Sequence, residues 1–202
     1  SAASDVYKRQ AFYAYSTSLV IQAGTVLGED VSELSTLYEN IVNTFQKTWP
    51  TYHTQTECVL AAHFKLAKNC QAAADQLADM VRACGTKLQT GFVGTPYLLH
   101  VLSDYGHTDL AWDLLLRTKY PSWLYPVTKG ATTIWEHWDG IMEDGSFWSK
   151  DMNSYNHYAY GSVADWVYSV AAGILPRKDA PGYAKVTIAP HPDLSLIHIS
   201  EP

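Results

Sequence analysis

The stretch TGFVGTPYLLHVLSDYGHTDLAWDLLL, Thr90 to Leu116, decides the fold class. Thr95-Pro96 places an N-cap ahead of a proline at the first helical position, where a backbone N–H is not needed. The helix so opened ends at Gly106, a residue suited to the left-handed turn that follows a helix. Thr108 caps the next helix, in which Leu110, Leu114 and Leu115 share one face. Two short helices with so short a link form an antiparallel pair. Gly91 and Gly94, ahead of Thr95, read as a turn into the cap rather than as an anion-binding loop.

The same pattern continues toward the N-terminus. An apolar, small-residue stretch over 11–27 is stopped by Gly28. Asp30-x-x-Glu33 has capping-box spacing, and Leu34, Leu37, Ile41, Val42 and Phe45 then recur with helical periodicity. Thr54-x-x-Glu57 is a second box, opening a helix to about Lys68; another runs from about Ala72 to Cys84, with Gly85 beyond it. Residues 11–118 are therefore expected to be mainly helical, with little or no β-structure before about residue 183.

From Pro121 the texture changes. Pro121 and Pro126 interrupt regular helix. A short helix around Thr132–Trp138 is predicted, then loops over 139–153 marked by Asp139-Gly140 and Asp144-Gly145. A long helix from about Ser154 to Ala172 ends at Gly173, and Lys185 to Pro190 alternates like a strand. The first ten residues, SAASDVYKRQ, and the last nine, LSLIHISEP, fit poorly with their neighbours and resemble translated adapter read-through. Residues 1–10 and 194–202 are accordingly set aside from the fold reading, and the chain is expected to be an internal piece of a longer protein.

The chain has 202 residues, 14 basic against 20 acidic, and a net charge of −6. That balance, with no basic stripe, argues against a nucleic-acid partner. No apolar run reaches the length of a membrane span, so no membrane partner is expected. Cys58, Cys70 and Cys84 form no CxxC pair, and no HExxH, DxDxDG or phosphate-cradling glycine loop occurs; no metal and no cofactor is expected. The aromatic distribution is more telling. Six of the seven Trp fall between Trp112 and Trp166, several beside His, Asn and Glu. Aromatic faces with polar edges suit a wet site that holds a sugar.

Four motifs, in order, carry a resemblance: Thr54-Gln55-Thr56; the stretch from Thr90; YPSWLYPVTKGATTIWEHWDG from Tyr120; and MNSYNHYAYGSVADWVY from Met152. Together with IAPHP from Ile188, they resemble the α-L-rhamnosidase family of glycoside hydrolases. The resemblance implies an all-α fold, a partial (α/α)6 barrel of helical hairpins over 11–180. It implies that 181–193 starts a C-terminal β-sandwich domain. It also implies hydrolysis of terminal α-L-rhamnosyl residues with inversion, on a rhamnose-containing oligosaccharide or glycoside.

An inverting glycosidase uses one carboxyl group as acid and a second as base. By the resemblance, the base falls on Glu136, between Trp135 and His137-Trp138. His157 matches a histidine that contacts the sugar. Trp123, Trp135 and Trp138 are candidates for the stacking wall, and Asn153 and Asn156 for polar partners. His137 stands where family members commonly carry arginine. The acidic segment that holds the family's general acid has no match here, so the fragment is expected to be inactive alone. Two other readings stay open: an (α/α)6 glycosidase acting on a different sugar, and a carbohydrate-binding remnant without turnover.

Overall fold

The structure is a computed structural model that describes residues 2–151, 154–177 and 179–193. Six helices come first: α1 (Ala2–Leu27), α2 (Ser32–Thr48), α3 (Gln55–His63), α4 (Cys70–Ala83), α5 (Thr95–Asp104) and α6 (Thr108–Leu116). They pair as hairpins, α1 with α2, α3 with α4 and α5 with α6. Helices α1, α3 and α5 lie side by side, each with its partner folded back on it. A one-turn helix α7 (Leu124–Thr128) follows, holding Pro126 in its first turn, where no N–H is required. A 3₁₀ turn (Ala159–Ser162), α8 (Val163–Trp166) and a π-turn (Val167–Ala171) then run on as one rod beside α5. Strands β1 (Ile174–Pro176) and β2 (Val186–Ile188) close the described chain as an antiparallel pair, with Leu175 opposite Thr187.

Local chemistry accounts for most boundaries. Thr54 caps α3, its hydroxyl accepting from Glu57 N at 3.2 Å. Asn69 does the same for α4, accepting from Ala72 N at 3.0 Å, so that helix opens earlier than the expected Ala72. Helix α3 stops at His63 rather than near Lys68, because Lys65 takes a left-handed φ of 59° and Leu66 N donates back to Ala61 O. The Asp30 box does not form. Val31 stands at the cap and Asp30 instead accepts from Ser32 N. Thr95 lies inside α5, after Gly94, and its hydroxyl bonds Thr90 rather than capping.

Two expectations around the candidate site are overturned. The short helix over Thr132–Trp138 is absent, and the long helix begins at 159 instead of Ser154. The cause is shared. Glu136 N donates to Ser154 O and His157 N to Ile134 O, so these backbones pair with each other instead of with their own next turns. The three-residue strand β1 is the little β-structure found before 183 in a named strand.

The segment set aside at the start is also structured. Residues 2–10 are the first turns of α1, and Tyr7 is buried, donating to Glu57 O at 2.7 Å and packing on Phe45 and Trp49. The final stretch, 194–202, lies outside the described residues. The core falls into two parts. One gathers Tyr7, Phe45, Leu60, Phe64 and Leu66. The larger runs through α3–α6 to Trp112, Trp123, Trp138, Tyr160 and Trp166. Gly173 ends the rod at a φ of 64° and passes so close to Ala189 that a Cβ there would sit 2.0 Å from its carbonyl, an approach that lets Ala189 N donate to Gly173 O at 2.9 Å. Val20, Val26 and Leu27 on α1 stay uncovered among the described residues.

Candidate active site

Residues 133–140 and 154–157 are laced together. Glu136 N donates to Ser154 O at 2.9 Å and Ser154 N donates to Glu136 Oε2 at 3.1 Å. His157 N donates to Ile134 O at 2.8 Å, Thr133 Oγ1 donates to Tyr155 O, and the Tyr155 hydroxyl donates to Gly140 O at 3.0 Å. Trp135 stands edge-on to Tyr155 in the same layer. The lacing places Glu136 and His157 on adjoining backbones. The Glu136 side chain is half-buried, with Oε2 held and Oε1 accepting no hydrogen bond among the described residues. A carboxylate held by one oxygen leaves the other for an incoming proton.

The His157 ring is oriented from two sides. Its Nδ1 accepts from Ala159 N at 3.3 Å, which puts the proton of the neutral ring on Nε2 as a donor. Its face stacks on Phe92, with centroids 5.0 Å apart. From Phe92 an aromatic column runs inward to Tyr160, then Trp138 at 3.7 Å, then Trp123 edge-on at 5.3 Å. Trp123 Nε1 donates to Tyr160 O at 2.9 Å and fixes the column from behind. Burial, with the nearby Tyr120 and Glu136 charges, pushes the Tyr160 hydroxyl up to about 12. It therefore stays protonated and can donate at neutral pH.

Beside the column lies a cavity of about 420 Å³, lined among others by Lys87, Gln89, Tyr120, His137, Trp138 and Tyr160. His137 Nδ1 is 2.5 Å from Asp139 Oδ1, and its ring stacks on Trp148. Of the three tryptophans expected at a stacking wall, Trp138 lines this cavity. Trp123 is buried against Trp138, and Trp135 is buried against Tyr155; neither lines the cavity. Asn156 is exposed on the paired segment, its N–H 3.4 Å from Ser154 Oγ; Asn153 lies outside the described residues. No group of three or more His, Cys, Asp or Glu among the described residues is placed to hold a metal ion.

Sequence reasoning missed Lys87, Gln89, Tyr120, Phe92 and Tyr160. A signal for the first two was present in Thr54-Gln55-Thr56. Buried Gln55 donates from Nε2 to Lys87 O at 3.0 Å and accepts on Oε1 from Gln89 N at 2.7 Å. Gly94 closes the same loop, since a Cβ there would lie 3.0 Å from Thr56 Oγ1.

The family model for the bacterial alpha-L-rhamnosidase 6 hairpin glycosidase domain matches residues 2–171. The chain belongs to this family. It is 43% identical over 190 residues to an alpha-L-rhamnosidase of Streptomyces avermitilis, covering 90% of this chain and 18% of that protein. An alpha-L-rhamnosidase of Formosa agariphila is 37% identical, over 94% of this chain and 22% of its own length. The crystal structure of the Streptomyces avermitilis enzyme complexed with L-rhamnose superposes with a TM-score of 0.86 at 42% identity, over 91% of this chain and 18% of that one. The Aspergillus terreus enzyme follows at 0.85 and 36%, over 91% and 22%. The chain thus spans about a fifth of the length of the curated relatives it matches. The rhamnosidase-domain match takes in residues 2–10 along with the later motifs.

Proposed function

We propose that this rhamnosidase domain takes part in hydrolysing terminal α-L-rhamnosyl residues with inversion, with Glu136 as general base. The observation that carries the reading is the Glu136 carboxylate, held through Oε2 by Ser154 N beside the backbone of His157. Glu136 Oε1 takes a proton from a water that attacks the anomeric carbon, on the face opposite the departing oxygen. A carboxylic acid from another part of the protein protonates that oxygen, with the two carboxyl groups about 6.5–9.5 Å apart. His157 Nε2–H donates to a sugar hydroxyl, and the Trp138–Tyr160 stack gives the ring an apolar backing. The β1–β2 pair is read as the beginning of a further β-domain, and the chain by itself as inactive for want of the acid.

The test is turnover of an aryl α-L-rhamnoside by the full-length protein, followed by proton NMR before the sugar mutarotates. β-L-Rhamnose should appear first. First appearance of the α-anomer, or no hydrolysis, would overturn the proposal.

A further inference from the structure

The hairpins hold another cavity, of about 370 Å³, which shares no lining residue with the one beside the Trp138–Tyr160 stack. It lies between the end of α2, the 49–54 link and the first turns of α4. Half-buried Trp49 and Tyr52 stand in its lining. Both rings are held from behind. Each stands edge-on to buried Tyr7, and Trp49 Nε1 donates to Gln10 Oε1 at 2.7 Å. The polar lining is held as well. Gln46 Nε2 donates to Leu66 O at 3.0 Å, and Gln76 Nε2 donates to Tyr52 O at 2.7 Å. Each glutamine thereby keeps an Oε1 that accepts no hydrogen bond among the described residues. Asn69 is turned the other way: its Oδ1 accepts from Ala72 N at 3.0 Å, which leaves Nδ2 to donate.

Fixed acceptors, a donor and two aromatic side chains, in a cavity of ligand size, suit a neutral sugar. Its hydroxyls both give and take hydrogen bonds, and its C–H faces lie against rings. Lys68, the charged residue of the lining, is exposed, so water and salt screen it. The recognition available here is therefore polar and apolar rather than ionic. We propose that this cavity is a second glycan-binding site, holding a neutral sugar unit of the substrate glycan away from the site of cleavage. The choice of glycan rests on the reading of the domain as part of a rhamnosidase; the site itself uses none of the residues given to hydrolysis.

The experiment runs the full-length protein in native gels that contain a neutral rhamnan, and reads Kd from the retardation. Ala72→Trp fills the cavity from an exposed position and keeps the Asn69 cap, because that bond uses the Ala72 backbone. It should raise Kd about 10-fold. Gln76→Leu removes one acceptor without adding bulk and should raise Kd about 3-fold, which keeps the test open if Ala72→Trp fails to fold. Lys68→Met and added salt should leave Kd unchanged. An aryl α-L-rhamnoside occupies the cleavage site alone, so its KM should be the same in wild type and Ala72→Trp. No retardation of the wild type, or a Kd that neither Ala72→Trp nor Gln76→Leu raises, overturns the proposal. So does a Kd that rises with salt or with Lys68→Met, which would make the recognition ionic. A KM that rises in step with Kd in Ala72→Trp would join the cavity to the cleavage site and overturn it too. Retardation needs no turnover. A protein that is retarded but does not hydrolyse the aryl rhamnoside loses the proposed function and leaves the gel result to judge the cavity.

Discussion

Glu136 and Ser154 are bonded to each other twice. The Glu136 amide donates to the Ser154 carbonyl at 2.9 Å, and the Ser154 amide donates to Glu136 Oε2 at 3.1 Å. One contact fixes the backbone and the other fixes the carboxylate. The same pairing carries His157, through its amide on Ile134 O. The proposed base and the proposed sugar-binding group are thereby held on one support, which is what a proton transfer at a defined distance requires.

His157 is expected to act on binding more than on the chemical step. His157→Ala removes the Nε2–H donor and the stack on Phe92. In the full-length protein, kcat/KM on an aryl α-L-rhamnoside should fall about 3- to 100-fold, with part of the loss in KM. Steady-state kinetics checks this. An unchanged KM with a large fall in kcat would give His157 a role in the proton transfer instead.

Gln55 should prove a structural keystone of the cavity loop. Gln55→Leu keeps the bulk but leaves Lys87 O and Gln89 N without their partner. The expected loss of stability is about 1–3 kcal/mol, read from urea unfolding of wild type and variant. A loss below about 0.5 kcal/mol, the scatter of ordinary surface changes, would show that the loop is held by other means.

The hairpins were legible in sequence because their signals are local. Thr54 and Glu57 sit within one turn of the helix they open, and Gly28, Gly85 and Gly106 all take positive φ at helix ends. The site was legible only in part. Glu136 and Ser154 lie 18 residues apart, and their mutual hydrogen bonds replace the turns that local propensity favours at both places. No periodicity within either segment encodes that exchange. Strand β1 was missed for the same reason, since its pairing with Val186–Ile188 is non-local. Tyr7 was missed because its segment was set aside as resembling adapter read-through, whereas its place is set by the pocket between Phe45, Trp49 and Tyr52.

His63 should give the protein an acid-sensitive element. Its ring lies against Tyr97, 4.5 Å between centroids, and burial pushes its pKa down to about 4, with His100 and Lys65 adding repulsion and Asp165 opposing it. An unfolded histidine titrates near about 6.5. The folded state thus keeps His63 neutral while the unfolded chain takes up a proton. Its contribution to stability is complete above about pH 6.5 and is lost progressively as pH falls toward 4. Urea midpoints at pH 7 and pH 4.5 should differ less in His63→Gln than in wild type. An identical difference would assign the acid sensitivity to other groups.

The central claim is that Glu136 removes the proton from the attacking water. Glu136→Gln retains the size of the side chain and an acceptor for Ser154 N, and removes only the basic oxygen. General-base catalysis contributes about 10²–10⁴-fold, so kcat on an aryl α-L-rhamnoside in the full-length protein should fall by at least about 10²-fold with little change in KM. A Glu136→Gln variant that keeps near-normal kcat would place the base elsewhere and contradict the account.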